Sequence, residues 1–268
     1  MKVYLDKNFS PVDEDKAVMA KVIPEDGSAP YFVAVKKEAK SIEVKDWRTD
    51  AETRLKRKLD AFFKKMNDRI AGFLSTSPAW SDIPEAFWGE VGLEMQDIVG
   101  AELYSVALNS AQRLGSQLPL TYNWELVNNR ALEFINNYWY REVGYITGTS
   151  RQTVQDSLTA FYEQGLTRQE LEDRLVKFGD IRAEQIAVTE VTRASAEGER
   201  AIVDELAVEG VTMVEVWMTN EDEKVCDICG DRDGKEEGDG WGREDGPPAH
   251  VNCRCWVNHY LPGYDWTQ

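Results

Sequence analysis

The stretch of sequence that decides the fold class runs from Ile181 to Gly210 and reads IRAEQIAVTEVTRASAEGERAIVDELAVEG. We predict one long helix in it, from about Ile181 to Glu209, following Gly179-Asp180. Gly210 stands where a helix commonly ends, because glycine adopts the left-handed backbone conformation at little cost. The stretch therefore predicts a protein built mainly around long helices.

Five further helices are predicted upstream of this stretch. Three of their starts carry capping boxes, in which a threonine and the acid or amide three residues later satisfy each other's backbone donors. These boxes are Thr49-x-x-Glu52, Thr149-x-x-Gln152 and Thr167-x-x-Glu170. The predicted helices cover about 49–73, 84–118, 124–146, 150–163 and 169–178.

Both ends of the chain read differently from this helical middle. Two apolar runs near the N-terminus, 17–23 and 31–35, are separated by turn residues and predict a β-hairpin. Near the C-terminus, 211–219 and 254–260 predict two further strands on either side of a Gly- and Asp-rich stretch.

The predicted fold is therefore α+β and predominantly α-helical, with three parts. Residues 1–45 form an N-terminal β element, and residues 46–210 form what we call the helical body. Residues 211–268 form a small β and zinc-knuckle unit that we call the knuckle module.

Charge limits the partners of this chain. The 268 residues carry a formal net charge of −17, which repels nucleic acid on average because DNA binding rests on basic side chains. One segment, 36–65, has 11 basic and 6 acidic residues. It is either a basic face that binds DNA or an acidic partner, or simply a solvated helix face.

No apolar run in the sequence reaches the roughly 18 residues of a membrane span. With no signal-peptide pattern, we expect synthesis and folding in the cytosol and no membrane partner.

The strongest chemical signal is a set of cysteines and one histidine close to the C-terminus. Zinc prefers four nitrogen or sulfur ligands in a tetrahedron, and a C-x2-C turn supplies two of them. The preferred ligand set is Cys226, Cys229, His250 and Cys253, with Cys255 as the alternate ligand. Two disulfides, or free thiols, are the alternatives to structural zinc. We expect no catalytic residues, since the sequence offers no catalytic companion such as H-E-x-x-H.

These residues lie within a longer pattern. Its parts are Trp217-x-Thr219-x-x-Asp222-Glu223-x-Val225-Cys226-x-x-Cys229, then Asp233-Gly234-Lys235, then Pro247-Pro248-Ala249-His250-Val251-Asn252-Cys253-Arg254-Cys255. Upstream stands Ile186-Ala187-Val188-Thr189-Glu190-Val191-Thr192-Arg193-Ala194. Together they resemble the C-terminal part of the phage Mu protein F-like minor head (head-morphogenesis) proteins over about 125–260. Three positions depart from that family: Val188 replaces an arginine, and Ala249 and Val251 replace a leucine and a proline.

The resemblance implies a structural protein of the virion rather than an enzyme. Such a protein would lie inside the head of a tailed phage at the portal vertex and assist head assembly or DNA delivery. Its expected partners are the portal protein and, as a second candidate, the major capsid protein, without sequence-specific nucleic acid binding. The alternative is a zinc-dependent enzyme or a toxin-like effector carried in the virion.

One further pair was singled out on the long helix. Glu190 and Arg193 lie three residues apart, close enough to interact. They predict either a buried pair that fastens the helix to the Cys226–Cys229 loop or an exposed pair that contributes well under 1 kcal/mol.

Overall fold

The structure is a computed structural model that describes the backbone of residues 44–117 and 122–260 and of four short strands upstream. Side chains are described for 47–117 and 122–259. The helices are α1 (Val44–Phe73), α2 (Glu85–Gln117), α3 (Trp124–Phe134), α4 (Tyr140–Glu163), α5 (Arg168–Val208) and the short α6 (Asp227–Gly230). A π-helical turn, Ile135–Trp139, joins α3 to α4, and 3-10 turns lie at Trp80–Asp82 and Arg243–Asp245. The predominantly helical prediction is confirmed.

The strands form three antiparallel pairs. They are β1 (Tyr4–Leu5) with β2 (Pro11–Val12), β3 (Ala17–Val22) with β4 (Tyr31–Lys36), and β5 (Val214–Met218) with β6 (Trp256–Tyr260). The last pair confirms the small C-terminal sheet. The turn between β3 and β4 and the side chains of both strands lie outside the described residues, so the N-terminal hairpin remains a prediction.

Helix α5 lies at the centre of the helical body and packs against α1, α2, α3 and α4. At its crossing with α2 the backbones almost touch, because a Cβ atom added to Gly198 would lie 2.0 Å from the carbonyl oxygen of Ala107. Only glycine allows so close an approach. The ends of α5 follow the prediction. Glu170 accepts from the Thr167 amide at 2.7 Å in the capping box, and Gly210 has a φ of +82°.

The predicted break at Gly179-Asp180 is wrong, since α5 runs through both residues without interruption. A Cβ atom at position 179 would lie 2.9 Å from the Cβ atom of Phe63 on α1. The glycine therefore serves close packing between two helices rather than helix termination. The local sequence cannot tell a glycine that ends a helix from a glycine that allows close helix packing, because the difference depends on whether another helix lies against it.

Two other predicted helix starts are also wrong. Helix α4 passes through Thr149, whose hydroxyl donates to the carbonyl of Tyr145 at 2.9 Å, within the helix, instead of capping a new one. Helix α1 begins at Val44, five residues before the Thr49 box. Its early turn holds the buried Arg48, and tertiary contacts of this kind stabilise turns that local capping does not explain.

Most of the buried apolar residues in the described part of the chain fall into three clusters. The largest lies between α1, α2, α4 and α5, and a second joins α2, α3 and the end of α5. The third belongs to the knuckle module and consists of Trp217, Cys229, Trp241, Cys253, Cys255 and Val257. The division into three parts at residues 45 and 210 remains a prediction. None of the described helices combines the length and apolarity that a bilayer crossing requires.

Candidate metal centre

The first arm of the site is the turn that follows β5. Cys226 precedes α6 as its N-cap and accepts from the amide of Gly230 through its carbonyl at 2.8 Å. This single helical turn brings Cys226 and Cys229 to the same side. The amide of Cys229 points at the sulfur of Cys226 and lowers the pKa of that thiol. A thiolate is the form that binds a metal ion.

The second arm lies just before β6. The amide of Cys253 donates to the carbonyl of His250 at 3.1 Å, which closes a tight turn. Asn252 adopts a left-handed backbone with φ of +64°, a conformation that asparagine tolerates better than most residues. The turn directs His250 and Cys253 toward the first arm.

The five donor residues converge. The His250 Nε2 atom lies 3.2 Å from the sulfurs of both Cys226 and Cys229, and the sulfurs of Cys229 and Cys253 are 3.8 Å apart. Ligand bonds of 2.0–2.3 Å in a tetrahedron place ligand atoms roughly 3.3–3.8 Å from each other. The donors form two groups that share Cys229, and within each group all ligand atoms lie within 4.8 Å of one another. One group adds Cys226 and His250, and the other adds Cys253 and Cys255. Each group could hold a metal ion, whereas the preferred four, Cys226, Cys229, His250 and Cys253, do not all lie within 4.8 Å of one another.

The side chain of His250 is oriented for ligation. Its Nδ1 atom lies 2.8 Å from the carbonyl oxygen of Val251, so Nδ1 carries the proton and donates to that carbonyl. The Nε2 atom, which faces the two cysteines, keeps its lone pair. Histidine ligands commonly have this arrangement, in which the outer nitrogen is held by a backbone carbonyl.

Cys253 and Cys255 differ in their protonation. The thiol of Cys255 donates to the sulfur of Cys253, which lowers the pKa of Cys253 to about 5 and raises the pKa of Cys255. All four cysteines are free thiols in this structure. The lowered pKa favours Cys253 over Cys255 as a thiolate ligand, which agrees with the preferred set. The ligand set itself remains a prediction.

The space enclosed by the donors is small. The cavity has a volume of about 10 Å³, and its walls include all five donors together with Arg254. A cavity of that size holds one water molecule or ion.

Other residues of the sequence pattern make contacts that support the two arms of this site. Asp222 receives two hydrogen bonds from Arg254, at 2.7 and 2.9 Å, and ties the first arm to the second. Asp233 accepts from the amide of Thr219 at 2.7 Å, and Trp217 is fully buried. These residues therefore have structural roles.

Two helices of the body hold the second arm in place. On α5, the hydroxyl of Thr192 donates to the carbonyl of Cys253 at 3.0 Å, and that of Thr189 accepts from the amide of Asn252 at 2.9 Å. On α1, the guanidinium of Arg48 donates to the carbonyl of Cys255 at 3.0 Å. Sequence reasoning missed all three side chains. The threonines fall within the pattern quoted above, whereas Arg48 lies 207 residues away and has no local signal.

Glu190 and Arg193 contact the π-helical turn instead. Glu190 is buried and accepts from the Tyr138 hydroxyl at 3.4 Å, while Arg193 lies over the Tyr138 ring at 4.8 Å. Burial raises the pKa of Glu190 to about 7. The predicted link from this pair to the Cys226–Cys229 loop stays a prediction, while the observed bonds between α5 and the second arm are those of the two threonines.

The basic segment on α1 is largely paired with acids. Arg54 and Lys58 both contact Glu102 of α2, at 3.1 and 2.7 Å. Lys65 contacts Glu94 of α2 at 2.7 Å. These contacts favour the interpretation as a solvated, ion-paired helix face over a DNA-binding face.

The geometry defines a class of protein: a mostly helical protein with a small C-terminal sheet and a cysteine–histidine cluster that could hold a metal ion. Residues 152–258, less than half of the chain, match the model of the family described as Phage Mu protein F like protein. Over this range the chain is similar to that family, which confirms the resemblance seen in the sequence. No curated protein and no solved structure matches the chain.

Proposed function

We propose that this chain is a structural minor head protein of a tailed phage that associates with the portal vertex and takes part in head assembly or DNA delivery. The observation that carries the proposal is the family match over 152–258, because this range includes α5 and the part of the knuckle module, up to residue 258, that bonds to it. The virion head is then its location, and the portal protein is its first expected partner.

We further propose that zinc is bound by Cys226, Cys229, His250 and Cys253. A tetrahedral structural site closes all four positions with protein ligands, and its role is to stabilise a segment that cannot fold well alone. The knuckle module fits that need, since between residues 211 and 268 the chain carries 13 acidic and only five basic side chains.

The alternative is a zinc-dependent enzyme or an effector carried in the virion. A catalytic zinc keeps an open position for water and needs room for a substrate beside it. The cavity of about 10 Å³ between the donors argues for the structural role.

The partner surface is expected on the helical body. Among the aromatic residues of the helical body, Trp88 and Trp139 are buried, whereas Tyr140 is 48% exposed. Exposed apolar side chains concentrate on α3 and α4, where they are Trp124, Leu126, Leu132, Tyr140, Tyr145 and Tyr162. Large exposed aromatic side chains are typical anchors of protein interfaces.

Binding of the full chain to the portal protein of the same phage tests this proposal. We expect binding that persists at raised salt, a large loss for Tyr140→Ser with Tyr145→Ser, and little loss for Ile228→Ser. Ile228 is the matched control because it is 56% exposed on the knuckle module. Absence of portal binding, or loss confined to the Ile228 variant, would contradict this assignment.

A further inference from the structure

The side chain of Arg48 connects the start of α1 to the candidate metal centre. Its two terminal nitrogens donate to successive carbonyls, Nη2 to Arg254 at 3.1 Å and Nη1 to Cys255 at 3.0 Å. Only 4% of the residue is exposed. A planar guanidinium is suited to this task, since it presents two parallel donors that a lysine cannot offer.

The contact belongs to a larger clamp on the backbone that carries the cysteines. The carbonyl just before these two, that of Cys253, accepts from Thr192 of α5 at 3.0 Å. Three consecutive carbonyls are therefore held by two helices from the body, the first by α5 and the next two by α1. Cys253 and Cys255 lie at the two ends of this clamped segment, so its position sets where both sulfurs lie.

Burying this guanidinium is costly, and burial lowers the pKa of Arg48 against the opposing influence of Glu199 on α5 and Glu52 on α1. The guanidinium carbon lies 5.7 Å from the centre of the Trp256 ring. A surface ion pair or a helix cap could form without burying the charge of Arg48, so neither role explains the burial. Holding the carbonyls of Arg254 and Cys255 in fixed positions does explain it.

We propose that Arg48 is a positioning residue of the metal site, and that metal binding is coupled through it to the seating of the first turns of α1. The inference rests on the proposed metal site. A metal that holds Cys253 also holds the carbonyls to which Arg48 donates, so the ordered start of α1 and the ordered site stabilise each other. Such coupling is reciprocal: whatever loosens the start of α1 weakens metal binding by the same factor.

The first experiment measures zinc affinity in the full chain by competition with a chromophoric chelator. Arg48→Lys keeps the charge but loses the paired donors, and we expect affinity to fall about 10- to 100-fold, the usual effect of losing a residue that orients a ligand. Arg57→Lys is the matched control, because Arg57 is an exposed arginine of the same helix. Its affinity should stay within twofold of the unsubstituted protein.

Two readouts separate positioning from a general loss of structure. The visible spectrum of the Co²⁺-loaded protein should change for Arg48→Lys and not for Arg57→Lys, because it reports the arrangement of the sulfur ligands. Hydrogen exchange of 44–52 should slow on zinc addition in the unsubstituted protein and in Arg57→Lys. It should not respond to zinc in Arg48→Lys, while exchange in α2 stays unchanged in all variants.

The outcomes distinguish this inference from the metal proposal. An unsubstituted protein that binds no zinc overturns both. Zinc binding with equal affinity and equal spectra in Arg48→Lys and Arg57→Lys, or zinc-independent exchange of 44–52 in the unsubstituted protein, overturns the role of Arg48 alone.

Discussion

The helical body and the knuckle module are held together by different physics. The main cluster of the body buries side chains from α1, α2, α4 and α5, and its helices pack along their whole length. The cluster of the module contains six residues, three of them cysteines, inside a segment dominated by turns and acidic side chains. Burial of apolar surface contributes about 25 cal/mol per Å². The helical body buries many apolar side chains and gains much stability in this way, whereas the small cluster of the knuckle module gains little. The comparison teaches that the body is stabilised by packing, whereas the module has a small apolar cluster, and we propose that a metal ion supplements it.

The largest expected effect is the loss of a central ligand. Cys229→Ser removes the sulfur that both groups of donors share. We expect zinc content, measured by elemental analysis of reduced protein, to fall from about one per chain to near zero. Limited proteolysis should then cut the module while the body stays intact, because the body does not use the metal for its core. A full zinc complement in this variant would refute the proposed centre.

The second prediction concerns close packing within the body. Gly198→Ala places a Cβ atom 2.0 Å from the carbonyl oxygen of Ala107, so α2 and α5 must separate. We expect the free energy of unfolding to fall by about 3 kcal/mol or more, at the upper end for overpacking. Gly144→Ala is the control, since a Cβ atom there meets no atom within 4 Å. The control should gain about 0.5–1 kcal/mol from helix propensity, and similar values for both variants would argue against the close crossing.

The third prediction concerns pH and the buried acid of α5. The pKa of Glu190 is raised from 4.5 to about 7, mainly by burial, so the folded state binds a proton that the unfolded state has lost. Its contribution to stability is therefore most favourable below pH 4.5 and declines as the pH rises to 7. Glu190→Gln should stabilise the protein by about 2 kcal/mol at pH 8 and hardly at all near pH 4.5.

Denaturant unfolding at both pH values measures this difference. The exposed Glu184 of the same helix supplies the control variant Glu184→Gln. If the gain from Glu190→Gln were equal at both pH values, the protonation of Glu190 would not be its cause.

The smallest effect is expected at the fifth donor. Cys255→Ser should keep about one zinc per chain and lower affinity less than tenfold, because Cys253 is the better thiolate and its pKa lies below that of Cys255. If Cys255→Ser lost as much zinc as Cys229→Ser, the fourth ligand would be Cys255 rather than Cys253.

The sequence by itself determined the helical class, the small C-terminal sheet and the cysteine–histidine cluster. Helical spacing, the capping box at Thr167 and the C-cap at Gly210 are local signals, and each acts within a few residues of where it is read. The two arms of the site were readable for the same reason, because each pair of donors lies in one short turn. The resemblance to the phage Mu protein F-like proteins was also visible in the sequence, and the match of that family's model to residues 152–258 confirms it.

Tertiary structure decided what depends on distant neighbours. Gly179 and Thr149 carry the residue types of helix ends, yet contact with Phe63 and a hydrogen bond within the helix give them other roles. Arg48 has no local pattern at all, and its role exists only because the fold brings α1 to carbonyls 206 and 207 residues away. Such contacts form only when the whole core is assembled, since hydrogen-bond partners so far apart in sequence leave no periodicity to read.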